Sequence, residues 1–266
     1  MKNILEKIIE DKKKEIALKK KLIPLKAWHQ LPFYKRETIS LKDSLCEQDA
    51  TGIIAEFKRK SPSKGIINAD ADIEEIIAGY DEYASGISIL TDEIHFGGTN
   101  DDMLIAASIA SVPLLRKDFI IDAYQLHEAK AIGADVILLI AACLPKKEVE
   151  MLAKEAKTLK LEVLLELHDE DEIEHICDDI DMVGINNRNL KTFEVDIERS
   201  LRMSEKIPAD KIKIAESGIS SVENILLFKK YGFKGFLIGE NFMKEHDPAA
   251  AFASFITALK KANNEN

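Results

Sequence analysis

The chain of 266 residues carries 47 acidic against 37 basic side chains, a net charge of -10 at neutral pH. That balance excludes a general nucleic-acid binder, which needs a basic surface for the phosphate backbone, while the length is enough for one large core in a single domain. Three cysteines without CxxC spacing (Cys46, Cys143, Cys177) and six histidines without an HxH or HExxH arrangement speak against a disulfide framework and a metal site, and for a reduced, cytoplasmic compartment.

From Met1 to Lys21, apolar Ile4, Leu5, Ile8, Ile9 and Ile16 recur among lysines and acids, which predicts one amphipathic helix and no signal peptide. The first fifty residues form an N-terminal helical extension, expected to pack across one end of the fold. No stretch approaches the roughly 20 apolar residues that span a bilayer, and no membrane partner is expected.

The first strand, from Ile53 to Phe57, runs into Lys58-Arg59-Lys60-Ser61-Pro62-Ser63-Lys64-Gly65. Side chains alternate across a strand, so Ile54, Glu56 and Lys58 share one face. An isolated strand of this kind would be read as a buried ion pair fixing register. The pattern recurs, however. Leu115, Lys117 and Phe119 share a face, as do Leu164 with Glu166, Gly184 with Asn186 and Arg188, and Ile212 and Ile214 with Glu216. Further strands are expected near Ile87 to Leu90, Asp135 to Ile140 and Gly235 to Ile238, which makes eight. Amphipathic helical stretches lie between them, such as Asp72 to Ala84, Ala123 to Ile132, Lys146 to Leu159 and Ser221 to Tyr231. Alternating strands and helices predict a parallel sheet with crossover helices, and eight units in this length predict a (β/α)8 barrel. The polar strand ends then meet at one mouth.

Ser217-Gly218 and Gly239-Glu240 each follow a late strand, where barrels bind phosphate through backbone N–H groups. The balanced charges of Glu56, Glu166 and Glu216 against Lys58, Lys117 and Arg188 suit acid–base chemistry on an anionic substrate. Arg59 to Gly65, with three cations, Pro62 and Gly65, is expected to act as a lid. His168 and His95, both near strand ends, could line the site, but read more readily as ordinary polar loop residues.

The run from Ile53 to Ser63 resembles the signature of the indole-3-glycerol phosphate synthase family, a group of barrel enzymes of tryptophan biosynthesis. Leu90 to Glu93 with Phe96 to Thr99, Leu115 to Phe119, Gly184 to Leu190, Ala215 to Ile219 and Leu237 to Glu240 resemble its other blocks in order, and the lysine-rich start resembles its extra helical segment. The resemblance implies ring closure, decarboxylation and dehydration of 1-(2-carboxyphenylamino)-1-deoxyribulose 5-phosphate, with no cofactor. It implies Lys117 as general acid, Glu166 as general base, Glu56 as the residue orienting the lysines, and Lys58 as an anion-binding group and candidate second acid. Asn186 and Arg188 then position the substrate and its carboxylate, Glu216 supports the polar network and Ser61 belongs to the mobile loop. Phe119, Leu138 and Leu237 take the aromatic ring. Ser217, Gly218, Gly239 and Glu240 take the phosphate, with the Glu240 side chain expected to point away. The partner is a small phosphorylated molecule, and the resemblance is to a family whose members occur as monomers or as parts of fused bifunctional chains. A different phosphate-binding barrel enzyme, or a barrel that has lost catalysis, is the alternative; the segment from Glu56 to Ser63 and Lys117 speak against the first, and the filled catalytic positions against the second.

Overall fold

The computed structural model describes residues 3–189 and 194–265; Met1 of the expected first helix and Leu190 of the fifth quoted segment lie outside them. An N-terminal extension supplies α1 (Ile4–Leu22), α2 (Leu25–Trp28) and α3 (Leu41–Ser44). The rest alternates: β1 (Ile53–Phe57), α4 (Ile73–Asp81), β2 (Gly86–Leu90), α5 (Glu93–Phe96), α6 (Asn100–Ile109), β3 (Leu114–Lys117), α7 (Ala123–Ala131), β4 (Val136–Ile140), α8 (Lys146–Thr158), β5 (Glu162–Leu167), β6 (Met182–Asn186), α9 (Ile197–Ser204), β7 (Ile212–Glu216), α10 (Val222–Lys230), β8 (Phe233–Ile238), α11 (Glu240–Met243) and α12 (Pro248–Asn264). The eight strands close into a parallel barrel in which each pairs with its sequence neighbours and β1 pairs with β8. The expected (β/α)8 architecture is the observed one.

Both strand faces are buried, as crossover helices require. Ile54, Leu115, Leu138, Leu164, Met182, Ile214 and Leu237 fill the barrel interior, whereas Ile53, Ile87, Ile89, Ile137, Leu165, Val183 and Phe236 pack outward under the helices. This parity sends the polar strand ends inward. Helices begin where a short acceptor can cap the first turn: Asp72, Thr99, Asp122, Ser221 and Asp247 each accept an amide of the following turn. Strict alternation fails once. Between β5 and β6 the chain makes only a 3-10 turn, Glu170–His175; that acid-dense stretch offers Ile173 and Ile176 as its apolar anchors, too few for an amphipathic stripe.

The extension closes both ends of the barrel. Along α1, Ile8, Lys12 and Ile16 form one buried stripe at a spacing of four, and Ile4, Leu5 and Ile8 reach the mouth. Lys12 is 1% exposed, with its ammonium 2.9 Å from Asp118, 3.0 Å from Asp92 and 2.8 Å from Glu15. Lys19 adds an ion pair to Glu128 at 2.8 Å and Lys20 one to Asp122 at 2.6 Å. At the base, Leu41 and Leu45 enter the interior cluster. They fit because Gly86 and Gly235 lack side chains: a β-carbon at Gly86 would stand 2.6 Å from Leu41 and one at Gly235 3.3 Å from Leu45. No helix among the described residues is long and apolar enough to cross a membrane.

Candidate active site

Lys117 ends β3 on the interior face, where its ammonium lies between two carboxylates reaching across the mouth from β5 and β7, 2.9 Å from Glu166 Oε2 and 2.5 Å from Glu216 Oε2. Burial opposes its charge, but Glu166, Glu216 and Glu56 outweigh burial and hold the ammonium above its ordinary pKa. Glu166 is the better-satisfied acid. Its Oε1 accepts from Asn186 Nδ2 at 3.0 Å. Burial would raise its pKa, yet Lys117 first, then His168 and Asn186, keep it well below the usual carboxylate range. At Glu216 burial prevails, partly offset by Lys117 and reinforced by Glu166, and pushes the carboxyl up to about 7; its Oε1 is buried without a hydrogen-bond partner among the described residues. Two acids on one lysine therefore have divergent proton affinities, the condition under which one group stays ionised while another exchanges a proton near neutrality.

Glu56 and Lys58 pair with each other at the end of β1, with side chains 4% and 17% exposed. Two glycines make room for these carboxylates: a β-carbon at Gly184 would stand 2.1 Å from Glu216 Oε1, and one at Gly239 2.5 Å from Glu56 Oε1. Phe119 packs on Phe96 with ring centroids 6.0 Å apart, and with Leu138 and Leu237 it gives the mouth an apolar side.

Every residue expected at the site borders one cavity of about 340 Å³, within the usual range for a small-molecule pocket. On its far side the chain turns at Ser217 and Gly218, both left-handed at φ 65° and 69°. Only glycine fits at 218, since a β-carbon would stand 2.4 Å from Val195, while Ser217 carries the backbone strain that such turns store near functional sites. Asn187 Nδ2 donates to the Ser217 carbonyl at 2.7 Å and fixes the turn. Gly239 precedes α11, whose first amides have no acceptor within their own helix.

Two expectations need correction, those at Glu240 and at His168, and the segment expected to act as a lid takes a defined form. The Glu240 side chain does not point away: its carboxylate lies 3.5 Å from Lys64 and 3.7 Å from Arg188, because both cations lean over the mouth beside the start of α11. The segment from Arg59 to Gly65 forms a small antiparallel ribbon, Lys60–Ser61 against Gly65–Ile66. Two of its three cations are engaged elsewhere, Arg59 with Asp102 at 2.7 Å and over the Phe57 ring, and Lys60 with the Ile94 carbonyl at 2.9 Å. Lys64 is the one turned to the mouth. Ser61 is buried beneath the ribbon turn and accepts the Lys64 amide at 3.3 Å. His168 is not a loose loop residue but 5% exposed, with Nε2 3.1 Å from Glu166 Oε1; the step of two from Glu166 carries it onto the same inward face. His95 faces Asp11 of α1 at 3.4 Å.

Sequence reasoning also missed Lys12 and the wall made by Ile4, Leu5 and Ile8. A lysine four residues from Ile8 and from Ile16 was the available signal.

The family model described as indole-3-glycerol phosphate synthase matches residues 5–255. The chain is 46% identical over 261 residues to the indole-3-glycerol phosphate synthase of Bacteroides thetaiotaomicron, covering 98% of this chain and 100% of that one. It is 39% identical over 260 residues to the one from Koribacter versatilis, covering 96% and 100%. Among solved structures, the tryptophan synthase A-subunit of Pyrococcus furiosus superposes with a TM-score of 0.58 at 16% identity, covering 79% of this chain and 97% of that one. Thiamine phosphate pyrophosphorylase of the same organism gives 0.59 at 14% identity, covering 84% and 98%. These two likenesses speak for the fold alone.

Proposed function

The chain belongs to the indole-3-glycerol phosphate synthase family of tryptophan biosynthesis, and on that premise we propose how its barrel mouth converts 1-(2-carboxyphenylamino)-1-deoxyribulose 5-phosphate into indole-3-glycerol phosphate. The observation that carries the assignment of roles is the Lys117 ammonium held between Glu166 and Glu216 beside an apolar wall. The phosphate sits against Ser217, Gly218, Gly239 and Glu240, chiefly on backbone amides, and the aromatic ring against Phe119, Leu138 and Leu237. Arg188, close to the Glu240 carboxylate, exchanges that partner for the substrate carboxylate.

Lys117 donates a hydrogen bond and then its proton to the sugar ketone oxygen, while the carboxyl-bearing aromatic carbon attacks the carbonyl carbon and forms the new C–C bond. The C–CO2 bond then breaks, returning its electron pair to the ring and releasing carbon dioxide. Glu166 removes a proton from the methylene between the nitrogen and the hydroxyl-bearing carbon, the C–H pair forms the new ring double bond, and the hydroxyl leaves as water with a proton from Lys58 or Lys117. One proton is taken up overall, matching the lost carboxylate. Only proton transfers are involved, so no cofactor enters, and the activity is that of a carboxy-lyase. Glu56 keeps the Lys58 ammonium at the mouth, and Asn186 fixes Glu166 Oε1.

All these groups come from one chain, read here as a single barrel domain with its extension, so a monomer in the cytoplasm meets the requirement. The test is indole absorbance or fluorescence on mixing protein and substrate. Wild type should form indole, and Lys117→Ala should lose on the order of 10²–10⁴-fold in rate, the usual range for a positioned acid. Indole formation at wild-type rate by Lys117→Ala would overturn the assignment.

A further inference from the structure

His168 continues the inward row Leu164, Glu166, His168 one step above β5. Its imidazole has two carboxylate neighbours. Nε2 stands 3.1 Å from Glu166 Oε1, the oxygen that also accepts from Asn186, and Nδ1 stands 4.0 Å from Glu172 Oε2. Glu172 is itself held in place, because Oε2 accepts the His168 amide at 2.6 Å and the Asp169 amide at 3.3 Å at the start of the 3-10 turn. That turn replaces the usual crossover helix. The ring contact is close but off the hydrogen-bond axis, so both imidazole nitrogens are buried without a well-aligned partner, an arrangement that a small ring rotation toward Glu166 would relieve.

We propose that His168 is a positioning residue for Glu166, holding Oε1 from above so that Oε2 stays aimed at Lys117 and the reacting carbon. This rests on the assignment of Glu166 as the base. Without the histidine, Oε1 is held by Asn186 alone, and once Lys117 gives its proton to the substrate and releases Oε2, that single anchor leaves the carboxylate free to rotate about its terminal torsion. His168 supplies a second donor from another direction. The charged and titratable groups around the ring are Glu166 below, Glu172 on the turn, Glu216 on β7, Lys117 across the mouth and the Cys143 thiol, which senses both Glu166 and Glu172. Burial disfavours the imidazolium, but Glu166 first, then Glu172 and Glu216, raise the histidine pKa above its ordinary value.

The experiment compares His168→Ala, His168→Asn and Glu166→Gln in steady-state indole formation across pH, with urea midpoints as the folding control. His168→Ala should lower kcat on the order of tenfold, a fraction of the roughly 10²–10⁴-fold that acid–base catalysis supplies, while KM changes less than about threefold, because the ring touches Glu166 and not the proposed phosphate or aromatic contacts. Removing a donor from a carboxylate raises its pKa, so the acidic limb of the kcat profile should move to higher pH. Asparagine, which keeps an N–H donor, should restore part of kcat. Wild-type kcat and limb in His168→Ala, with Glu166→Gln inactive, would overturn the positioning role and leave the base in place. Equal losses in kcat and KM, with no recovery in His168→Asn, would also overturn it and make the ring packing only. Full activity in Glu166→Gln would instead overturn the base assignment itself.

Discussion

Lys12→Met removes the cation that fastens α1 to the barrel while keeping a stem of similar length. The wild-type ammonium is 1% exposed and lies within 3.0 Å of Asp92, Asp118 and Glu15. Burial opposes the Asp118 charge, but Lys12, then Arg116, hold its carboxyl below the ordinary range. Stranding one partner of a buried pair costs about 3–5 kcal/mol. Asp118 keeps Arg116 at 3.1 Å and Thr91 at 2.8 Å, and Asp92 keeps the His95 amide at 2.8 Å, so the loss should fall at about 3 kcal/mol. The single tryptophan, Trp28, is a natural reporter: it sits on α2 in the extension and meets Tyr124 of α7 edge-on at 6.0 Å. In urea, tryptophan fluorescence should report an earlier transition than far-UV circular dichroism, as the extension leaves before the barrel melts. KM should rise as well, because Ile4, Leu5 and Ile8 leave the cavity wall. A double-mutant cycle with Asp118→Asn should recover part of the loss. Coincident transitions, a loss under about 1 kcal/mol, which is the range of an exposed pair, and an unchanged KM together would refute the latch.

Gly184→Ala would place a methyl 2.1 Å from Glu216 Oε1 and 3.3 Å from Leu164; the carboxylate must move, so indole-forming kcat should fall by about an order of magnitude or more while circular dichroism stays native. Glu216, pushed up to about 7, favours the folded state below the ordinary carboxylate range and loses that contribution as pH rises through about 7. His168, also raised, works in the same direction, whereas the depressed Glu166 and Asp118 lose theirs as pH falls. Urea midpoints of Glu216→Gln should therefore decline less between about pH 5 and 8 than those of wild type, by up to about 1.4 kcal/mol per pH unit, and an identical slope would contradict the assignment. Pro62→Ala loosens the ribbon turn above Ser61, and kcat and KM should change together; both unchanged would remove the lid.

Five of the eight strands were legible because each carries its own signal, an apolar run ending in a charged or amide side chain of fixed parity, and the other three, ending at Leu90, Ile140 and Ile238, followed from their apolar runs and spacing. Counting parity from Ile54, Leu115, Leu164 and Ile214 was enough to send Glu56, Lys117, Glu166 and Glu216 inward. What the sequence hid depends on partners far along the chain. Lys12 reads as a solvated lysine until Asp92 and Asp118 are brought to it. The free space at Gly184 and Gly239 is defined by carboxylates on adjacent strands, so local reading gave Gly184 a place on a strand face and Gly239 a phosphate-type turn, but not the room each leaves for a glutamate. Glu240 was expected to avoid an anion site, a rule blind to the two cations that lean toward it. The missing helix between β5 and β6 was partly visible in the acid-dense run from Asp169 to Glu174.

The two plugs of the extension come from the first 45 residues, yet their sockets are finished late. Leu45 fits against Gly235, which belongs to the strand that seals the barrel, and Leu41 against Gly86. On the ribosome, Leu45 is thus made well before its socket is complete, which happens after nearly the whole chain has emerged. Such long-range closure slows folding. The charges crowding α1, four acids and eight lysines from Met1 to Lys21, keep its apolar stripe in solution until Asp92, Asp118 and α7 have been made, so the same residues act as a solubilising segment in the nascent chain and as a wall of the pocket in the finished one.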